Sequence, residues 1–260
     1  MSRLLALLYG SAAYVLFLAT FLYAIAFVAG VGVPKHIDNG AAAPFPVALG
    51  IDLVLLSLFA VQHSGMARPG FKRWWTRFVP VPVERSTYVL ASSLVLILLF
   101  WQWRPLPQVI WNVDNDMARG VLYGLSALGW LLVLTGTFLI NHFDLFGLRQ
   151  VWLYLVGRPY EPLTFGTPVL YRIVRHPLYV GWFFAFWMTP LMTAAHLLFA
   201  VATTAYILIA IQFEERDLVR EHGEEYESYR RRVPMLVPFA GRRHSATTSV
   251  PVKENPDGVF

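Results

Sequence analysis

Four places in this sequence hold side chains able to bind or move charge: His63; the run Asn141, His142, Phe143 and Asp144; the run Arg175-His176-Pro177-Leu178-Tyr179-Val180-Gly181; and the pair Glu214 and Glu215. Proline at a first helical position lacks an N–H that would have no partner there, and it pushes the preceding residue toward an extended conformation. A helix is therefore predicted to begin at Pro177. Its N-terminal N–H groups and partial positive charge, beside Arg175 and His176, suit a carboxylate or phosphate. Gly181, one turn in, lets a ligand or another helix approach closely. Glu214 and Glu215 suit hydroxyls or an ammonium group. Gly223, Tyr226, Tyr229 and Arg230-Arg231-Arg232, followed by Val233-Pro234-Met235-Leu236-Val237-Pro238, form an aromatic and basic segment able to close over the same spot.

These groups are embedded in an unusually apolar chain. Of its 260 residues 57% are hydrophobic and 14% charged, against about 45–50% and about 25% in a soluble domain. That excludes disorder and most soluble folds. The absence of cysteine excludes a disulfide framework, a thiolate metal site and a cysteine nucleophile. His63, His142 and His176 lie in separate segments without a short paired spacing, so no metal is expected. The net charge of +5 comes without a nucleic-acid motif or an aromatic-interleaved basic groove. Nucleic acid is therefore not expected as a partner, and membrane lipid is.

A helix needs about 20 apolar residues to cross a bilayer. Spans are predicted near 4–30, 46–66, 87–103 and 121–140, the first being a retained helix because it runs well beyond the apolar core of a signal peptide. Asp52 falls within the second span and must be satisfied inside the bundle or near an interface. Pro177 to Phe213 is 37 residues, which as one helix would be about 55 Å long. It must fold back, and Pro190 is the place for the turn, giving helices near 178–190 and 195–218 with His196 in the outward-facing turn. The expected fold is an all-α integral membrane protein of about six transmembrane helices, with a C-terminal helical hairpin and a cytoplasmic cofactor-binding segment. Basic residues concentrate in 67–86, in 142–176 and after Phe213. By the positive-inside rule both termini are cytoplasmic in a multi-pass membrane protein. The chain divides into a four-helix membrane region (1–140), a cofactor-binding hairpin with its lid (141–243) and a flexible tail (244–260).

The Arg-His-Pro-x-Tyr-x-Gly run, the hairpin, Glu-Glu, Gly-x-x-Tyr-x-x-Tyr and the Val-Pro…Pro closure resemble the isoprenylcysteine carboxyl methyltransferase-like family of membrane methyltransferases over about residues 170–240. Across most of residues 1–240, Gln62-His63-Ser64-Gly65-Met66-Ala67-Arg68, Glu84-Arg85-Ser86-Thr87-Tyr88 and Asn141 through Gln150 further resemble the bacterial methanethiol S-methyltransferases, relatives of NnrU-type membrane proteins. The resemblance implies methyl transfer from S-adenosylmethionine to a small thiol partner, methanethiol, yielding dimethyl sulfide and S-adenosylhomocysteine. It implies that Arg175, His176, Tyr179 and Gly181 sit against the cofactor, with Arg175 or His176 toward its carboxylate. Glu214 and Glu215 would take its ribose or amino groups, and Tyr226, Tyr229 and Arg230 would belong to the lid. Met235 departs from the closing sequence of the prenylcysteine relatives. Two other functions stay open at this stage: methylation of a larger lipophilic acceptor, and a non-enzymatic NnrU-like membrane role.

Attack on a sulfonium needs a thiolate, and a small alkanethiol is mostly protonated near neutrality if the free cysteine value of about 8.5 is its guide. His142 is the candidate base, with Asp144 placed to orient it provided the helix ends near Asn141, since residues two apart do not share a helix face. Phe143, Phe146, Trp152, Trp182 and Phe183 are candidate walls of a small, dry thiol pocket, and polarizable sulfur packs well against ring edges. His63 either binds within the bundle or serves the site. Trp101 and Trp103, at a span end, read as structural anchors.

Overall fold

The computed structural model describes residues 1–163 and 166–238; the expected tail at 244–260 lies outside the described residues. Five helices are long and apolar enough to cross a membrane: α1 (Arg3–Ala29), α2 (Phe45–Ala67), α4 (Val81–Gln102), α5 (Asp116–Ile140) and α9 (Ala194–His222). The short helix α3 (Pro69–Trp75) joins α2 to α4, and β1 (Val109–Asn112) lies between α4 and α5. After α5 come α6 (His142–Leu145), α7 (Leu148–Leu155), a 3-10 turn (Val169–Arg172) and α8 (Pro177–Trp187). Strand β2 (Leu191–Thr193) leads into α9, and α10 (Glu224–Arg232) is the last helix of the described residues. Leu8, Val15, Val54, Val61, Leu131 and Ile209 are exposed along the long helices. Apolar side chains outside as well as inside mark helices built to be surrounded by lipid.

Among the described residues five helices, not the expected six, are long and apolar enough to cross, and the difference lies at the expected 13-residue helix near 178–190. Proline opens α8 at Pro177 as expected, but the helix lasts only 11 residues, about 16 Å. The remainder runs as extended chain through Pro190 into β2, which pairs antiparallel with β1. Non-helical backbone in a membrane protein must find partners within the protein, and here it does. The Val113 N–H donates to the Pro190 carbonyl at 2.9 Å, and the Trp111 indole N–H to that of Thr189 at 3.1 Å. His196 is buried rather than outward-facing, with Nε2 2.9 Å from the Phe186 carbonyl oxygen.

Contacts sort the connections onto two faces. At one face Lys35 donates to the Trp103 carbonyl, and the Arg104 N–H to Oδ1 of the fully buried Asp52, whose Oδ2 has no hydrogen-bond partner. The hydroxyl of Thr193 donates to Asp38 at the same face. Trp103 is buried with its indole N–H on the Ile37 carbonyl, while Trp101 is exposed. At the other face Arg68 at the end of α2 pairs with Asp217 of α9 at 3.1 Å, and Arg85 at the start of α4 donates to the Leu145 carbonyl after α5. The Tyr9 hydroxyl of α1 donates to Thr87 of α4. That second face carries the α3, α6–α7 and α10 segments and every candidate polar cluster.

The α5–α8 contact is the closest in the bundle, and two glycines make it. A β-carbon at Gly181 would lie 2.8 Å from the Gly129 carbonyl oxygen and 2.9 Å from the Val133 nitrogen; one at Gly129 would lie 2.5 Å from the Ala185 nitrogen. Gly181 is buried, packed against Gly129 and Val133 of α5. Farther along, Gly136 meets Leu178, so the two helices run antiparallel and the end of α5 stands beside the start of α8.

Candidate active site

The hairpin and the segment after α9 build one polar cluster. Arg175 puts Nε and Nη2 on Glu215 Oε1, each at 2.8 Å, and donates from Nη1 to the carbonyls of Arg230 and Val233 at 2.8 and 2.9 Å. Four of the five N–H groups of its guanidinium are thus committed to the protein. The backbone N–H groups of Arg175 and His176 donate to the carbonyls of Pro234 and Met235. The segment after α10 therefore does lie across the start of α8, and the unusual Met235 contributes through its backbone. Arg230 likewise contributes its carbonyl, its side chain being exposed.

His176, 4% exposed, has Nε2 3.1 Å from Glu215 and Nδ1 3.9 Å from Glu214. The Tyr179 hydroxyl donates to Glu214 Oε2 at 2.8 Å. With its side chain 45% exposed, Glu214 is the carboxylate of the pair open to a ligand. Beneath the lid Tyr226 and Tyr229 are buried, and the Tyr229 hydroxyl donates to the Tyr171 carbonyl at 2.6 Å. Burial pushes the Tyr229 hydroxyl up to about 12, so it remains a neutral donor. Two carboxylates against one guanidinium and a histidine leave the cluster suited to a cationic ligand bearing hydroxyl and ammonium donors.

His142 stands in a second cluster. Asn141 ends α5 as expected and caps α6, its side-chain oxygen accepting the Asp144 N–H at 3.1 Å. His142 is 4% exposed, stacked on Phe138 with ring centroids 4.2 Å apart, and edge-on to Phe146 at 4.8 Å. Its Nδ1 lies 2.9 Å from Thr137 Oγ1 and its Nε2 2.9 Å from the Tyr14 hydroxyl. Burial pushes the imidazole below its ordinary value of 6.5, which favours the neutral ring. Asp144 does not orient it. That carboxylate is held by Arg149 at 2.8 Å, with Gln150 and the Tyr160 hydroxyl also on it, and it lines a separate cleft of about 570 Å³ with Lys72, Glu84 and Arg85. Burial and the Asp144 carboxylate push the Tyr160 hydroxyl up. The sequence missed Tyr14 and Thr137. Their signal is faint: hydroxyls in otherwise apolar spans, one of them five residues before His142.

The expected thiol walls are only partly assembled. Phe146 stacks on Phe17 at 3.8 Å, Phe17 is 6.1 Å from Phe21, and Phe21 meets Trp182 at 6.4 Å, so Phe146 and Trp182 share one aromatic column through α1. Phe143 borders His142 but is half exposed, as is Trp152. His63 joins neither cluster directly. It lies 3.0 Å from the Tyr88 hydroxyl and 3.3 Å from Ser92 Oγ, between α2 and α4.

A family model described as NnrU protein matches residues 53–229. The chain is 58% identical over 243 residues to a protein of Crocosphaera subtropica named methanethiol S-methyltransferase, covering 94% of this chain and 95% of that one. It is 57% identical over 242 residues to the protein of the same name from Mycobacterium tuberculosis, covering 93% and 99%. Nurim of Sus scrofa is 32% identical over 181 residues, covering 66% and 68%. No solved structure matches the chain.

Proposed function

The chain belongs to the NnrU family and, within it, to the methanethiol S-methyltransferases, and from that premise we propose that it methylates methanethiol with S-adenosylmethionine as donor, giving dimethyl sulfide and S-adenosylhomocysteine. The observation that carries this reading is likeness along nearly the whole chain to proteins named for that reaction. The donor set at the start of α8 fits the proposed cofactor: a sulfonium with an ammonium group and ribose hydroxyls suits a cluster of net negative charge with one partly open carboxylate. Glu214 and Tyr179 hold those polar groups, backed by the buried His176, while Arg175 and Glu215 fix the lid that Tyr226, Tyr229 and the Arg230 carbonyl complete. When bound, S-adenosylmethionine supplies a methyl group on a positively charged sulfur.

This chain's part is then to bind, to exclude water and to take one proton. Covering the start of α8 with 233–235 keeps water from the transferring group. His142, neutral and desolvated, is the base, and the aromatic column from Phe146 through Phe17 and Phe21 to Trp182 is the apolar surface against which a small thiol packs. The enzyme sits in the bacterial inner membrane with both termini in the cytoplasm; residues 1–140 anchor it and 141–243 carry the cofactor.

Headspace chromatography of the purified, detergent-solubilised protein given S-adenosylmethionine and methanethiol tests the reading. Dimethyl sulfide is expected from the native sequence and little or none from Glu214→Gln. Absence of product, with S-adenosylmethionine still binding by calorimetry, would mean that the acceptor is a different one.

A further inference from the structure

The hydrogen bonds around His142 have a direction, and it identifies a residue that the base acts through. Thr137 has one hydroxyl proton, and Thr137 Oγ1 donates it to the Leu134 carbonyl at 2.6 Å. Toward His142 the same oxygen can only accept, so the 2.9 Å contact is Nδ1–H donating to Thr137. A neutral imidazole with its proton on Nδ1 has a lone pair on Nε2. The Tyr14 hydroxyl, 2.9 Å from Nε2, is then the donor. Tyr14, His142, Thr137 and the Leu134 carbonyl thus form one chain with every donor pointing the same way. The Tyr14 oxygen, having given its proton inward, keeps lone pairs able to accept another.

Tyr14, at the head of the chain, is half-buried, with its ring 6.5 Å from that of Phe143. Phe138 and Phe143, two rings of the cage around His142, are each about half exposed on the outer surface at the end of α5. Tyr14 is the ionisable side chain in contact with the ring; the other ring contacts are Thr137, Phe138, Phe143 and Phe146, and burial alone shifts the imidazole.

We propose that Tyr14 is the group that receives the thiol proton, with His142 behind it and Thr137 as the positioning residue that fixes the tautomer. The proposal rests on the methyl-transfer reading above. The S–H proton passes to the Tyr14 oxygen as the Tyr14 proton passes to His142 Nε2. The thiol sulfur's electron pair forms the bond to the methyl carbon, and the pair of the breaking carbon–sulfur bond stays on the departing thioether. The imidazolium afterwards returns its proton to water.

The test is the initial rate of dimethyl sulfide formation against pH for the full chain and for Tyr14→Phe, which keeps the ring and removes only the hydroxyl. Near neutrality Tyr14→Phe should lose about 10²-fold or more in turnover. The deficit should shrink as pH rises past about 8.5, where the thiol begins to ionise unaided, and affinity for S-adenosylmethionine by calorimetry should be unchanged. Thr137→Val should lose rate in the same pH-dependent way, and Thr137→Ser should recover what Thr137→Val loses. An unaffected Tyr14→Phe, or a deficit equal at every pH, overturns the proposal while native turnover keeps the function. A native chain that turns over no thiol removes both.

Discussion

Arg175 has three acceptors: the Glu215 carboxylate, the carbonyl of Arg230 in the last turn of α10 and the carbonyl of Val233 just after it. It is a clasp. Arg175→Ala leaves Glu215 buried against His176 alone, and removing one partner of a buried pair costs about 3–5 kcal/mol. We expect a lower unfolding temperature in detergent together with weakened S-adenosylmethionine binding. Arg175→Lys should recover little of either, because one ammonium cannot reach three acceptors spread around a planar fork. His142 carries a pH prediction whose sign follows from burial. Its folded value lies below the unfolded 6.5, so the unfolded chain takes up a proton first; this part of the stability is present above about 6.5 and is lost as pH falls below it. Turnover should fall on the same acid side, and His142's share of the stability change should be missing from His142→Gln, as the difference between the two proteins' melts across pH 5–8 would report. The sequence is informative about these residues in proportion to how local their partners are. The Arg-His-Pro start and the Glu-Glu pair stand out because each is a compact motif, whereas Tyr14 is 128 residues from His142 and reads in isolation as an ordinary aromatic of an apolar span.

Among elements, α8 is the one on which both clusters depend, since its start meets α9 through His176 and its length lies on α5. Both helices bring glycine to the crossing, and the atoms a side chain would strike are backbone. Gly181→Ala and Gly129→Ala should therefore force α8 off α5, at about 1–3 kcal/mol each or more, with loss of donor binding at a site neither glycine touches. Gly136→Ala is the milder comparison, because its β-carbon would meet Leu178 Cβ at 3.3 Å, a side-chain atom with some room to give. Melting temperatures and calorimetry on the three variants check the order. Hydropathy reveals the five long helices because each is a continuous apolar run, but it does not separate helix from extended chain when both are apolar. That is why 188–190 read as the end of a helix, with the turn placed at Pro190. Its strand partner at 109–112 lies far away in sequence, where no local pattern announces a pairing.

At the scale of the molecule, one face holds the basic segments around α3, α7 and α10, while the other holds the short loops and the two-stranded ladder. Reporter fusions at residue 1 and after residue 238 should both read cytoplasmic, and one in the 31–44 loop should read external; an external reading at either end would invert the whole arrangement. The grouping of segments onto one face was legible from the clustering of arginine and lysine in 67–86, in 142–176 and after Phe213. The brevity of α8 bears on biosynthesis. An 11-residue helix is too short to be recognised as a membrane segment by itself, so it must wait in the translocation machinery until α9 has been made. The two then enter together, and only afterwards can β2 find β1. A nascent chain released at residue 190 should leave its last helix outside the bilayer, and the pocket of this protein would be among the last things its synthesis completes.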